Sequence, residues 1–547
     1  MTNKEIAKSF QFLGQLMELH QENKFKIRSY QNAYITIRKL PTPLAEMSDE
    51  EIQGVKGIGK AIAGKIRELL DHGQMATLER YKEQTPEGVQ EMLQIKGFGP
   101  KKILVIWKEL EVETIGELLY AVNENRLVEL KGFGAKTQED LRQKLEYHQA
   151  TKHQFHYAVL AEAAASLLAE IKAQFPQQKI EFTGALRRAA NVVEQISFLM
   201  EAGELVVDGL KAVLEEVEQV NDQLLQGKTA NELPVQIHLS SSEDWARRQF
   251  ELTAHPSFLE AIDGYSSDQE ETETSIFEKY SLPYIVPELR ESSYGIDFAQ
   301  SGQMEDLVEL TDIQGVVHNH STYSDGMQSI KEMALYAKDQ GYSYLVMTDH
   351  SKSAFYANGL KEDRVLAQFA EIKQLNQEIA DFTILKGIES DILNNGDLDY
   401  DDDLLAQFDV VIASVHSNLR MDEQKATQRL LQAIQNPYTH ILGHPTGRLL
   451  LSRKGYPIDH QLVIDACAEH KVSIELNANP YRLDLDWTWI PYAMEKGVQI
   501  SINPDAHSTS GIHHIKYGVV SARKGGLTKS KCLNAKPMEA FLEALKK

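Results

Sequence analysis

The residues best equipped for chemistry are histidines and acids gathered in the C-terminal part of the 547-residue chain. They are His318 and His320 with Asp325 just beyond, then His350, Glu389, His416, His444, and Asp505 with His507. A lone His-x-His or Asp-x-His is a weak signal, more often a polar pair without a ligand. Nine such residues in one region weigh towards a metal site. Imidazole and carboxylate together suit Zn²⁺, Mn²⁺ or Fe²⁺ better than Ca²⁺ or Mg²⁺, which prefer oxygen shells. At about three or four protein ligands per ion, nine ligands serve about three ions that share a bridging carboxylate. Such ions lower the pKa of bound water and neutralise anionic oxygens, so the chemistry predicted is metal-assisted hydrolysis. Its catalytic residues are expected to be His318, His320, Glu389, His444 and Asp505. Arg448, Arg482 and Lys352 are candidates for phosphate contacts, with solvated surface charge as the plainer alternative.

Residues so far apart need a frame that brings them together. Seven short apolar runs are separated by helix-like segments: Gly315–Val317, Tyr344–Met347, Phe382–Leu385, Val410–Ser414, His440–Gly443, Val472–Leu476 and Val498–Ile502. Strands alternating with helices imply a parallel sheet or barrel. Six of the runs contain a histidine or acid near their end or reach one within three residues, and the third reaches Glu389 four residues on. Strand C-termini are where a parallel barrel assembles its site. Glu475 also ends a run, with no role that the pattern assigns.

The first 150 residues are different. Apolar residues at helical spacing in Ile6–Leu19, Ala61–Leu70 and Ile103–Leu110 predict helices. A short repeat punctuates them: Val55-Lys56-Gly57-Ile58-Gly59, Ile95-Lys96-Gly97-Phe98-Gly99 and Leu130-Lys131-Gly132-Phe133-Gly134. Each copy leads into a lysine-bearing stretch with Lys60 and Lys65, Lys101 and Lys102, or Lys136. Paired glycines permit a tight turn whose amides face a phosphate at the start of the next helix, and the lysines add attraction that ignores base sequence. One Gly-x-Gly is usually only a turn. Three copies favour helix-hairpin-helix binding of DNA through its backbone.

Composition sets outer limits. The formal net charge is −23, yet residues 1–150 carry 22 Lys and Arg against 22 Asp and Glu, so the excess lies entirely in the remainder. A neutral hairpin region can still bind phosphate locally, and an acidic remainder suits cations. No apolar run is long enough to span a bilayer, the first 30 residues lack a signal-peptide core, and the two cysteines, Cys467 and Cys532, form no metal pair. A cytoplasmic protein that engages no membrane is expected. Its protein partners are not legible.

The motifs His318–Gly326, Thr348–Lys352, Gly387–Glu389, Ser414–Ser417, Gly443–Arg448 and Asn503–Ser508 resemble the polymerase and histidinol phosphatase (PHP) family. That resemblance implies a distorted seven-stranded barrel and a trinuclear site: one ion on His318, His320, Glu389 and Asp505; a second on Glu389, His416 and His444; a third on Asp325, His350 and His507. The module order, with Lys26–Tyr34 and Leu282–Arg290, resembles bacterial family X DNA polymerases. It implies a multidomain α plus α/β chain: a helical lyase-like domain at 1–85, two further hairpins at 86–150, a polymerase-beta-like palm at 151–240, a thumb-like segment and linker at 241–300, and the PHP phosphoesterase domain at 313–547. Lys65 falls where the family can carry a Schiff-base lysine, although a simple phosphate contact is the preferred reading.

The palm departs from the family. Its triphosphate loop is expected as Gly-Ser-x-Arg-Arg but is Gly184-Ala185-Leu186-Arg187-Arg188, and the three metal-binding aspartates are replaced by Gln195, Ser197 and Gln236. Neutral Gln and Ser do not hold Mg²⁺ against water as carboxylates do. The palm is expected to be a scaffold, or a DNA-binding remnant using Arg187 and Arg188. The reading is a 3′-5′ exonuclease that works on DNA ends, gaps or damaged sites, including 3′-blocked ends or abasic sites, in repair, without polymerase activity. Its rivals are a histidinol-phosphatase-like enzyme and a non-catalytic DNA-binding scaffold.

Overall fold

The computed structural model describes residues 1–547 except 96, 97, 129, 131, 132, 151–153, 204, 205, 267 and 269. It contains two compact units: Met1–Asn123 with Leu127–Glu146, and Glu124–Arg126 with Tyr147–Lys547.

Helices build the first unit. Asn3–Leu19 opens on a capping box in which Thr2 accepts from the Glu5 amide and Glu5 accepts from the Thr2 amide. Its residues Ile6, Phe10, Leu13 and Met17 are buried at helical spacing. The predicted run Ala61–Leu70 lies in helix Lys60–His72, and Ile103–Leu110 overlaps helix Pro100–Glu109. The repeat recurs as a structural unit: Ile58 N donates to Val55 O (2.9 Å), Phe98 N to Ile95 O (3.1 Å) and Phe133 N to Leu130 O (3.0 Å). Gly57 has φ +96°, which a side chain at that position would resist. Helices start immediately after Gly59, Gly99 and Gly134.

In the second unit, β1 (Phe155–His156) leads into a five-stranded sheet of β2 (Ile180–Phe182), β4 (Ile196–Glu201), β5 (Glu215–Asn221), β6 (Leu224–Lys228) and β7 (Pro234–Ser240), while β3 (Val192–Val193) pairs with β1. The sheet order is β2-β4-β7-β6-β5. Leu160, Leu167 and Ile171 of helix Tyr157–Gln174 share its core with Phe198, Met200 and Ile237. The following stretch, expected to end in a linker, is packed instead. Ile285, Leu289, Ile296 and Phe298 are buried with Phe250 and Phe277. Arg290 is fully buried there, bonded to Glu273 (2.6 Å), with its guanidinium over Phe277 and Tyr284. Short 3₁₀ turns such as Pro287–Glu291 have no long apolar period, so the pattern alone suggested a loose connection.

Seven parallel strands follow: β8 (Gly315–Asn319), β9 (Tyr344–Met347), β10 (Thr383–Asp391), β11 (Val410–Ser414), β12 (Ile441–Leu442), β13 (Ser473–Asn477) and β14 (Ile500–Asn503). Each pairs with its chain neighbour, and a bridge from Asn319 to Ala506 brings the two ends nearly to closure. The strands are buried on both faces. Val316, Leu345 and Val411 pack with the surrounding helices, whereas Val317, Val346 and Ile412 form a core with Leu533 and Phe541. The third run is longer than its apolar letters suggested. Polar Lys386, Glu389, Ser390 and Asp391 lie within β10 itself.

Candidate metal centre

The barrel carries the histidines and acids at one end. His318 lies near the end of β8, with His320 and Asp325 in the loop beyond; His350 follows β9; Glu389 is in β10; His416, His444, and the pair Asp505 and His507 follow β11, β12 and β14. His318 (φ 68°), His444 (φ 21°) and Asp505 (φ 52°) adopt left-handed backbone that L-residues avoid, a strain of the kind concentrated at functional sites.

Glu389 is at the middle. Its Oε1 lies 3.1 Å from His318 Nε2, 3.1 Å from His416 Nε2 and 3.0 Å from His444 Nε2. Its Oε2 lies 2.8 Å from His350 Nδ1 and 3.7 Å from His320 Nε2. Asp505 Oδ1 approaches His320 Nε2 at 3.1 Å, and Asp325 lies 3.4 Å from His507 and 3.6 Å from His350. Among the described residues four overlapping groups have donor atoms mutually within 4.8 Å: His318, His320 and Asp505; His350, Glu389 and His416; His320, Asp325, His350 and His507; and Glu124, Asp505 and His507. These differ in detail from the sets implied by resemblance, because His350 reaches Glu389 and His320 reaches the Asp325 group.

The donor set fits cations. Both Asp325 oxygens, Glu389 Oε2, His320 Nδ1 and His507 Nε2 are buried yet make no hydrogen bond. An unsatisfied buried polar atom costs about 1–3 kcal/mol, so five together call for a ligand. Burial, with His507 and His350 close by, pushes His320 down to about 3. Burial also opposes charge on His350, but Asp325 and Glu389 outweigh it and raise that imidazole to about 10. Burial would raise the Glu389 carboxyl, yet His416, His318 and His350 hold it well below its usual range.

Three supporting acids escaped the sequence reading as parts of the site. Glu475, on β13, accepts from His318 Nδ1 (2.6 Å), from Asn503 Nδ2 (2.7 Å) and from Asn477 Nδ2 (3.1 Å), so His318 Nε2 faces Glu389. Asp391 pairs with His416 Nδ1 in the same manner. Carboxylates of this kind orient metal-binding imidazoles. Asp391 sits two residues after Glu389 in a strand, and that spacing put both on one face. Glu124 pairs with His507 Nδ1 and accepts from Asn479 Nδ2 (2.8 Å). No sequence signal pointed to it.

The phosphate-contact candidates separate. Lys352 is exposed and pairs with Glu362 at 2.7 Å. Arg448 pairs with Asp486 and donates to Arg482 O at 3.0 Å. Arg482 is buried and acts electrostatically on His444. In the hairpins Lys60, Lys101 and Lys136 are exposed, as are Gly57, Gly59 and Gly134, while Lys102 stands over Phe133 at 5.3 Å. Gly97 and Gly132 lie outside the described residues. Lys65 is partly buried and donates to Thr77 Oγ1 (2.5 Å). Burial lowers its pKa.

The palm positions are also defined. Ser197 on β4 lies directly beside Gln236 on β7, with Gln195 just before β4. The arginines proposed as a DNA-binding remnant turn inward. Arg187 pairs with Glu273 at 2.6 Å and Arg188 with Glu291 at 2.5 Å, and Arg188 also donates to Thr253 O. Folding thus commits both guanidinium groups to carboxylates from 273–291, which sequence order alone kept distant.

Among the described residues no helix is long and apolar enough to cross a membrane. Residues 1–75 match the helix-hairpin-helix domain family, 89–146 the SAM-like helix-hairpin-helix tandem and 317–478 the PHP domain. The chain is 35% identical to the DNA polymerase/3′-5′ exonuclease PolX of Bacillus subtilis (strain 168), over 99% of this chain and 100% of that protein. It is also 29% identical to a probable phosphatase of Thermoanaerobacter sp. (strain X514), over 40% of this chain and 88% of that protein, and 27% identical to a probable phosphatase of Shewanella sp. (strain MR-4), over 40% and 87%. Hairpin domains, a PHP barrel with a buried His and acid cluster, and full-length similarity lead to one conclusion: the chain belongs to the bacterial PolX family, the family X DNA polymerase/3′-5′ exonucleases.

Proposed function

We propose that this chain is a metal-dependent DNA phosphodiesterase, a 3′-5′ exonuclease acting in the cytoplasm on DNA ends, gaps or damaged sites, whose palm adds no nucleotides. One observation carries the reading: five imidazoles surround the buried Glu389 carboxylate within 3.7 Å, a geometry suited to a carboxylate that bridges cations. Mn²⁺ or Zn²⁺, with Fe²⁺ as the other fitting ion, would be held by His318, His320, Asp325, His350, Glu389, His416, His444, Asp505 and His507. Bound there, such ions supply a nucleophile at neutral pH and neutralise the phosphate. Glu475 and Asp391 keep His318 and His416 aimed. The low-dielectric surroundings strengthen every charge contact with phosphate.

The hairpins favour DNA over a small phosphomonoester. The similarity to probable phosphatases covers 40% of the chain, whereas the hairpin matches lie at 1–75 and 89–146. Through exposed Lys60, Lys101 and Lys136, and amides following Gly59, Gly99 and Gly134, they suit a backbone without regard to base. In the palm (151–240), the neutral Ser197 and Gln236 side by side support the absence of nucleotidyl transfer. The segment 241–300 then serves as a packed thumb-like connection to the phosphoesterase domain at 313–547.

The test is a Mn²⁺-supplemented assay on end-labelled primer–template DNA, with and without dNTPs, beside the double variant His318→Ala, His320→Ala. Stepwise shortening from the 3′ end, abolished in the variant and unaccompanied by extension, is the expected result. Extension would overturn the palm assignment. Intact DNA with either protein would overturn the exonuclease.

A further inference from the structure

The turn Phe355–Ala357, in the loop that follows His350, places two aromatic residues in opposite environments. Phe355 is 82% exposed, the most exposed aromatic of the barrel domain. Tyr356 turns inward, its ring centroid 6.4 Å from that of His350. Its hydroxyl is buried and makes no hydrogen bond. The His350 contact sets Tyr356 beside the metal-fitting cluster, and burial, joined by Asp391, Glu389 and Asp325 against the opposing Arg126, raises the pKa of its hydroxyl. The Arg126 guanidinium lies over the Tyr356 ring at 5.3 Å and covers its face. The two neighbouring rings do not stack on one another: their centroids are 6.2 Å apart and their planes cross at 76°.

A buried hydroxyl without a partner calls for an explanation, and here it adjoins a largely exposed aromatic ring. A phenol, with an ordinary pKa of about 10, is a donor at neutral pH, and none of the described residues accepts from this one. The acceptor expected in a cation-filled chamber is an anionic oxygen brought by the substrate. A planar hydrophobic face beside a phosphate-hydrolysing site is the usual platform for an unstacked base.

Resting on the phosphodiesterase reading, we propose that Phe355–Tyr356 is a clamp for the terminal nucleotide: Tyr356 Oη donates a hydrogen bond to a non-bridging oxygen of the scissile phosphate, and Phe355 stacks on the base. Nothing is transferred; the phenol keeps its proton, and its bond strengthens as charge accumulates on the phosphorus oxygens. Tyr356 therefore acts on turnover, and Phe355 on nucleotide affinity.

The test uses the full chain with Mn²⁺ and two chromogenic diesters, thymidine 5′-(p-nitrophenyl phosphate) and methyl p-nitrophenyl phosphate, which carries no base. Tyr356→Phe is expected to lower kcat about tenfold or more on both esters, as loss of a hydrogen bond to a charged group implies, with bound metal per chain unchanged. Phe355→Ala is expected to raise KM for the thymidine ester about tenfold, well beyond its effect on the methyl ester, and Phe355→Trp to restore it. Leu462→Ala, at an exposed position of helix His460–Glu469, controls for removal of any surface hydrophobe. A kcat for Tyr356→Phe within twofold of wild type, or equal KM effects of Phe355→Ala on both esters, would overturn the clamp. An oligonucleotide left intact by a wild-type protein that cleaves both esters would refute the DNA reading separately, and the ester comparison would still decide the clamp.

Discussion

Replacing Glu475 with Gln removes one charge and changes almost no volume. The Glu475 carboxylate accepts from four donors: His318 Nδ1 (2.6 Å), Asn503 Nδ2 (2.7 Å), Asn477 Nδ2 (3.1 Å) and the His444 amide (3.2 Å). Two meet Oε2 and two meet Oε1, so either orientation of the Gln amide turns an NH₂ towards two donors. His318 and His444 are both affected, and both point at Glu389. Loss of a partner that orients a metal-binding imidazole lowers metal affinity about 10–100-fold, equivalent to about 1.4–2.7 kcal/mol. The assay is Mn²⁺ competition against a chelator of known affinity, with circular dichroism to verify the fold and diesterase turnover at saturating Mn²⁺. The expected result is a weaker Mn²⁺ dissociation constant by at least tenfold, with partial recovery of turnover at high Mn²⁺. An affinity within twofold of wild type, in a folded variant, would refute the argument that Glu475 aims His318.

Other consequences are measurable in the same way. Replacing Lys60 and Lys101 with Ala should weaken duplex binding similarly for unrelated sequences and reduce the salt dependence of log K by about 1 per lost phosphate contact; an unchanged slope would remove these lysines from the interface. Glu273→Gln leaves Arg187 and fully buried Arg290 without their shared carboxylate, so the second unit should lose about 3–5 kcal/mol in denaturant unfolding. A loss below about 0.5 kcal/mol would mean that the network contributes little to folding. Burial pushes His156 down to about 4 from its ordinary 6.5. The neutral imidazole is the form that folds: its contribution is complete above pH 6.5 and is lost as pH falls towards 4, in total about 3 kcal/mol, and His156→Gln should flatten that part of the stability–pH curve.

Much of the architecture is visible in the sequence because parallel strands buried on both faces leave continuous apolar runs, and because glycine-bounded turns repeat. Val410–Ser414, for instance, is a strand with the bounds its letters suggest. The hairpins announce themselves in the same local manner, since Gly57 adopts φ +96°, a backbone conformation that glycine permits and side chains resist. The histidines and acids are likewise legible, because strand ends in such a fold must converge. Their pairing is not. Which imidazole faces which carboxylate depends on strand stagger and loop geometry, so His350 meets Glu389 at 2.8 Å although 39 positions separate them in the chain. Arg187 and Arg188 show the limit most plainly. As letters they are free cations suited to phosphate, and only folding brings Glu273 and Glu291 to them. Glu124 is the extreme case, a surface-type acid with no local pattern, which reaches His507 through tertiary packing alone. Short-range chemistry writes periodicity and turn residues into the chain, whereas contacts between distant residues are decided by the geometry of closure.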